Sequence, residues 1–325
     1  MLIAGDVGGT KTLLGLFDSR RPHPRPDAVQ SFETTAYDDL TSIVAEFLQQ
    51  PAVANQPIEA AVFGVAGPVI GDTADLTNVP WRVDARQVAS RFGFARVALL
   101  NDLEAMAHGV TVLDESDVHV LQQGRRGKGG NIGIVAAGTG LGEATLHDAG
   151  GRLIPAASEG GHADFAARTE REIRLVRWLL DDHGRAEVED VVSGRGLRNI
   201  HRVAHAGGCR ASVDLKSPDA PAAITRAGLD GSCPGCVEAL DMFVEAYGAE
   251  AGNLALRFVT RGGIFVGGGI APKILPALTD GRFMRAFTAK PPFESLLASI
   301  PVKVILNAQT ALIGAAVLAA RNLEV

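Results

Sequence analysis

Asp6-Val7-Gly8-Gly9-Thr10-Lys11-Thr12 places a carboxylate, adjacent glycines and hydroxyl donors in one short stretch. Glycines side by side let backbone N–H groups approach anionic oxygens with no Cβ in the way. Thr10 and Thr12 add hydroxyl donors, and Asp6 suits Mg2+, directly or through water. The same string also reads as a plain hairpin turn. Ala137-Gly138-Thr139-Gly140-Leu141-Gly142 offers the same chemistry a second time. It is not a P-loop, since GxxxxGK[ST] is absent, and a strand rather than a helix follows it, which argues against a Rossmann dinucleotide site. Two Gly-Thr turns, one with an acidic neighbour, fit a clamp on the β- and γ-phosphates of a nucleotide. Gly267-Gly268-Gly269 follows a strand. It reads equally as a tight turn and as flat backbone against which an adenine or ribose can lie.

A second group of residues suits sugar hydroxyls. Asn101-Asp102 stands where a strand ends and a helix begins, the edge of an open α/β sheet at which ligands bind. Asp102 is there either a helix N-cap or a general base that accepts a hydroxyl proton. Ser158-Glu159-Gly160-Gly161-His162-Ala163-Asp164 sets two carboxylates and an imidazole around a Gly-Gly bend, where packing has little use for them. Glu159 and His162 suit adjacent sugar hydroxyls. A metal held by His162 and Asp164 is the weaker reading, because no third ligand stands at suitable spacing. Cys233-Pro234-Gly235-Cys236 is a CxxC without a second CxxC or a His pair at finger spacing, so no structural zinc is expected and a packed cysteine at a helix start is preferred to redox chemistry.

Alternating strands and helices must position these groups. Strands are expected at 2–5, 12–17, 60–66, 96–100, 132–137, 141–147, 264–266 and 301–306, with helices at 38–50, 103–110, 170–180, 237–260 and 310–322. Arg20 to Asp27, with Pro22, Pro24 and Pro26, reads as an exposed turn. The order implies an α/β protein with a mixed sheet in each half. The strand-turn-strand units around Gly8 and Gly138 resemble each other, as an internal duplication would produce. Residues 1–109 with 310–325 are expected as a small domain and 110–309 as a large one, with the phosphate loops facing a cleft between them.

Composition narrows the class. The formal charge of -6 excludes a partner that rewards clustered Lys and Arg, so neither nucleic acid nor an anionic membrane is expected; the run Arg125 to Lys128 reads as a solvated loop. Three cysteines make no disulfide framework, and Met1 to Asp6 is not a signal peptide. No apolar run reaches the length of a membrane span. A soluble cytoplasmic protein is expected.

Ordered along the chain, these strings resemble the bacterial glucokinase family, within the actin-like superfamily of sugar kinases. The resemblance is carried by GDVGGTKTLLGLFD (5–18), GVAGPVIGD (64–72), TNVPW (77–81), LLNDLEAMAHG, AAGTGLGEA, SEGGHADFA, EDVVSGRGL, FVGGGIAPK and TALIGAA. It implies a two-lobed actin-like (ribonuclease H-like) fold and ATP-dependent phosphorylation of glucose at its 6-hydroxyl with Mg2+. Asp102 then matches the catalytic base. Asn101, Glu159, His162 and Glu189 match the sugar contacts, Gly8, Gly9, Thr10, Gly138 and Thr139 the phosphate loops, and Gly268 and Gly269 the adenosine side. Closure of the lobes on sugar is expected to exclude water, and a homodimer is implied. Mannose, fructose or an N-acetylhexosamine as substrate, and a non-catalytic sensor on the same fold, are the alternatives. The cysteine-rich zinc motif and helix-turn-helix of the related repressor/kinase branch are absent.

Overall fold

The computed structural model describes residues 1–76, 79–125, 129–205 and 208–323. Thr77 and Asn78 of the TNVPW string, and the basic run after Arg125, lie outside them. The chain divides into two compact units, Met1–Asp114 with Asn307–Val325, and Glu115–Leu306.

The first unit opens with β1 (Leu2–Val7), β2 (Lys11–Phe17), β3 (Pro26–Glu33), α1 (Leu40–Phe47) and β4 (Ala60–Val65). A small meander of β5 (Val69–Ile70), β6 (Thr73–Asp75) and β7 (Arg82–Asp84) follows, then α2 (Ala85–Phe92), β8 (Arg96–Asn101) and α3 (Asp102–Val110). The second unit holds β9 (Val118–Gln122), β10 (Ile132–Ala137), β11 (Leu141–Ala149) and β12 (Arg152–Ser158). Helices α4 (Glu170–His183), α5 (Gly194–Ala204), α6 (Ala220–Leu229) and α7 (Pro234–Phe258) come next, then β13 (Gly263–Gly267). Short helices α8 (Leu275–Thr279), α9 (Arg282–Thr288) and α10 (Glu294–Leu297) precede β14 (Val302–Ile305), and α11 (Thr310–Arg321) belongs to the first unit.

In the first unit the sheet order is β3-β2-β1-β4-β8. The pairs β3/β2 and β2/β1 are antiparallel, while β1, β4 and β8 run parallel. The period of two sorts side chains to the two faces. Ile3 and Val7 join Phe63, Val65, Ile43 and Phe47 on one side. Leu2 and Ala4 join Ala60, Val62 and the apolar face of α11 on the other. The expected turn at residues 20–27 gives way at Pro26 to β3, an edge strand; its half-exposed pattern hides it from a search for buried runs. Proline is tolerated at the first residue of such a strand.

The second unit orders its strands β12-β11-β10-β13-β14-β9. From β12 to β14 the directions repeat those of the first unit: antiparallel, antiparallel, parallel, parallel. Helix α7 is buried along most of its length. Its Tyr247 hydroxyl lies 3.0 Å from the carbonyls of Val135 and Gly267 and accepts from the Ala137 N–H at 3.1 Å, pinning the ends of β10 and β13 together.

Candidate active site

The turn between β1 and β2 is Gly8-Gly9-Thr10, closed by the Gly8 N–H donating to the Lys11 carbonyl at 3.0 Å. Thr34, just past β3, braces it from behind: its hydroxyl donates to the Gly8 carbonyl at 2.8 Å and its N–H to the Thr10 carbonyl at 3.0 Å. Strand alternation turns Lys11 outward and Thr12 inward. Thr12 is fully buried, with its hydroxyl 2.9 Å from that of Thr34. Of the two threonines read as phosphate donors, Thr12 is therefore a brace, while Thr10 is exposed.

Asp6 lies at the carboxyl end of β1, and β4 separates that strand from β8, which ends at Asn101. The N-cap role does not fall to Asp102. Asn101 is the N-cap of α3, its side chain accepting from the Leu103 N–H at 2.9 Å and donating to the Gly67 carbonyl at 3.3 Å. Asp102 is the first helical residue, with Oδ1 also 2.9 Å from the Leu103 nitrogen. A Cβ at Gly64, on the intervening strand, would stand 2.8 Å from the Ala105 Cβ and 3.8 Å from the Asp102 Cα, so glycine there lets α3 lie close. Burial, and then the negative charge of Asp102, push the Asp6 carboxyl up to about 6, with Lys11 opposing. Two acids held in mutual repulsion make a favourable place for a divalent cation, and the donor set is hard oxygen, as Mg2+ requires.

In the second unit the turn after β10 is Gly138-Thr139-Gly140, closed by the Gly138 N–H to the Gly140 carbonyl at 2.8 Å. The Gly138 carbonyl also caps α5 by accepting from the Gly194 N–H at 2.8 Å. Gly268 has φ +80°, and a Cβ there would overlap the backbone of Ala137, so the third glycine turn packs directly against the second. A Cβ built at Gly138 or at Gly269 meets nothing within 4 Å. Internal packing does not demand glycine at those two positions.

Glu159 and His162 flank the short turn Gly160–His162, which is anchored from below. The Gly161 carbonyl accepts from the Glu189 N–H at 2.9 Å, and the Ala163 carbonyl from the Val188 N–H at 3.0 Å. Both side chains stay exposed, at 82% for Glu159 and 51% for His162. Glu189 lies between this loop and the Gly138-Thr139-Gly140 turn. Its carboxylate accepts from the Leu141 N–H at 2.8 Å and pairs with Arg195 at 3.1 Å. Asp164, considered as a metal ligand, pairs instead with Arg185 at 3.1 Å.

The sequence reading missed Glu187. Its carboxylate lies 2.6 Å from His162 Nδ1, and this hydrogen bond is the main reason the imidazole titrates above its ordinary value. The bond fixes the ring with Nε2 4.0 Å from the Glu159 carboxylate. The only signal in the sequence was an acid two residues before Glu189, and nothing local says that it meets residue 162.

Beneath the loop, Glu143 is buried against the position where Gly160 lacks a Cβ. Burial and then Glu250 raise its carboxyl from an ordinary 4.5 to about 8, with Arg257 at 3.8 Å opposing. A carboxyl raised on folding stabilises least once it must ionise, so its cost grows as pH climbs from 4.5 towards 8. Glu143→Gln should therefore match the parent near pH 5 and exceed it by about 1–3 kcal/mol at pH 9 in denaturant melts. Parallel stability curves across that range would refute the assignment.

Residues 3–322 match the family model described as Glucokinase. A curated glucokinase from Nostoc sp. is 40% identical over 340 aligned residues, covering 99% of each chain. Another, from Nostoc punctiforme, is 41% identical with 99% of each chain covered. A solved glucokinase from an Antarctic psychrotroph has a TM-score of 0.84 at 26% identity, covering 98% of both chains. The architecture shared with it is the two-lobed actin-like one, with a mixed sheet flanked by helices in each lobe.

Proposed function

Because this chain belongs to the glucokinase family, we propose that it transfers the γ-phosphoryl group of ATP to the 6-hydroxyl of glucose, giving glucose 6-phosphate and ADP. The observation that carries the reading is Asp102 at the start of α3, its charge acting on Asp6 beside a glycine turn. A pure sensor has no use for a carboxylate placed to take a proton.

In the reaction the 6-hydroxyl oxygen forms a bond to the γ-phosphorus, the bond to the bridging β–γ oxygen breaks, and Asp102 receives the hydroxyl proton. Asn101, Glu159, His162 and Glu189 hold the remaining hydroxyls. Phosphate oxygens fall to Gly8, Gly9, Thr10, Gly138 and Thr139. The adenosine falls to Gly268 and Gly269. Asp6 is the residue that would hold Mg2+, which when bound neutralises phosphate charge. Positioning and electrostatics thus account for most of the catalysis.

We assign residues 1–109 with 310–325 to the small lobe and 110–309 to the large one; the compact units support the two-part division but place 110–114 and 307–309 with the first. Among the described residues no helix is long and apolar enough to cross a membrane. We place the enzyme in the cytoplasm as a homodimer, which light scattering would test as twice the 33.9 kDa chain mass.

A coupled assay of ADP release over a panel of hexoses, with and without Mg2+, tests the function. Glucose should give the highest kcat/KM, and omission of Mg2+ should abolish turnover. A higher value on mannose, fructose or an N-acetylhexosamine would move the substrate, and no turnover on any hexose would favour the sensor.

Glu187→Gln should lower the titration midpoint of the His162 imidazole towards its ordinary value. It should also raise the KM for glucose about five-fold, the worth of one hydrogen bond of roughly 1 kcal/mol, with kcat changed less. The midpoint is read by NMR. An unmoved midpoint would separate Glu187 from His162.

A further inference from the structure

Away from the catalytic residues, all the cysteines of the chain meet two histidines. His201 lies in the last turn of α5, His205 caps that helix, Cys209 follows, and Cys233 and Cys236 sit at the start of α7. The Cys209 sulfur is 3.7 Å from that of Cys233 and 3.9 Å from that of Cys236. His205 Nε2 is 3.3 Å from the Cys233 sulfur and 4.0 Å from the Cys236 sulfur. A zinc ion with Zn–S of about 2.3 Å and Zn–N of about 2.0 Å has tetrahedral edges of about 3.8 Å between sulfurs and about 3.5 Å between sulfur and nitrogen. The four separations just given, two between sulfurs and two between sulfur and nitrogen, lie near those edges. They are too far apart for the S–S bond of a disulfide, about 2.05 Å.

Further observations point the same way. His205 Nδ1 lies 2.8 Å from the His201 carbonyl, which makes it the protonated nitrogen and leaves Nε2 as a lone pair facing the sulfurs, as in imidazoles that bind a metal through one nitrogen and a carbonyl through the other. A Cβ at Gly235 would overlap the His205 ring, so the glycine inside the CxxC is what admits that ring. His201 is 4% exposed, stacks on His205 with ring centroids 3.7 Å apart, and has both ring nitrogens buried without a hydrogen-bond partner. One donor atom each from His201, His205, Cys209 and Cys236 lie within 4.8 Å of one another. Two unpartnered ring nitrogens beside three sulfurs are costly in an apolar pocket and suited to a soft cation.

We propose that Cys209, Cys233, Cys236 and His205 bind one structural zinc ion, with His201 packed behind His205. This reverses the expectation of no structural zinc. The CxxC has no second CxxC, but its partners are His205, the C-cap of α5, and Cys209, which follows it at the spacing His205-x3-Cys209. The ion would tie the end of α5 to the start of α7. The opposite end of α5 donates its Gly194 N–H to the phosphate turn at Gly138, so the staple steadies the helix that supports that turn.

The full chain, purified under reducing conditions without chelator, should carry one zinc per chain by elemental analysis. Titrating it with an organomercurial should release that zinc as three thiols react. Cobalt substitution should give tetrahedral visible bands with thiolate charge transfer. Stripping the metal should lower the melting temperature by roughly 5–10 °C, restored by zinc. Cys209→Ser, Cys233→Ser and Cys236→Ser should each lose the ion; if one fails to fold, the mercurial titration of the parent still decides. Metal-free, folded protein that takes up no added zinc would overturn the proposal, as would iron in its place or a disulfide among the three cysteines. Retention of zinc in Cys233→Ser with loss in His201→Asn would overturn the ligand set.

Discussion

Asp102→Asn should fold normally, bind glucose with a KM within a few-fold of the parent, and lose about 10²- to 10⁴-fold in kcat. The amide keeps the shape of the carboxylate and its oxygen still accepts from the Leu103 N–H, while the helix is capped independently by Asn101. Only the ability to receive a proton disappears. A second consequence is electrostatic. Asp102 is one of the charges that raise the Asp6 carboxyl to about 6, so its removal should bring Asp6 back towards the ordinary carboxylate range. Steady-state kinetics against glucose, with the titration of Asp6 followed by NMR, check both parts. A kcat within ten-fold of the parent would remove Asp102 from proton transfer. An unchanged Asp6 would deny the coupling.

Gly314→Ala should lower stability by about 2–3 kcal/mol and the melting temperature by about 5–10 °C, although alanine is the better helix former by about 1 kcal/mol. Gly314 lies on α11 where that helix crosses α3. A Cβ there would overlap the Ala105 carbonyl oxygen and stand 2.5 Å from the Gly109 nitrogen. Both are backbone atoms, so no rotamer change relieves the overlap and the helices must separate. Gly109 answers from the other side, where a Cβ would stand 2.9 Å from the Thr310 Cγ2 and overlap the Thr310 carbonyl. Because α3 carries Asp102 at its first position, the displacement should also reduce kcat several-fold at temperatures where the variant remains folded. Calorimetry and kinetics at a common temperature test this. A melting temperature within 1 °C of the parent would mean that the helix pair adjusts without cost.

The sequence alone determined much of this protein. Short apolar runs placed β1, β2, β10 and β11, and Gly-Gly-Thr and Gly-Thr-Gly marked their turns. Asn101-Asp102 fell at the expected junction of strand and helix, and the ordered strings pointed to the family that the whole chain matches. Such signals lie within a few residues of one another, where backbone sterics and hydrogen-bond geometry act without tertiary context. Only the tertiary structure decided how side chains are shared between distant segments. It gave the helix cap to Asn101, turned Thr12 into a brace against Thr34, and brought Glu187 to His162. It carried the Tyr247 hydroxyl to strand ends 110 residues away and joined His205 to cysteines from another helix. Contacts of that range depend on how whole elements pack, and burial then fixes which polar groups must find each other. No local pattern along the chain contains that information.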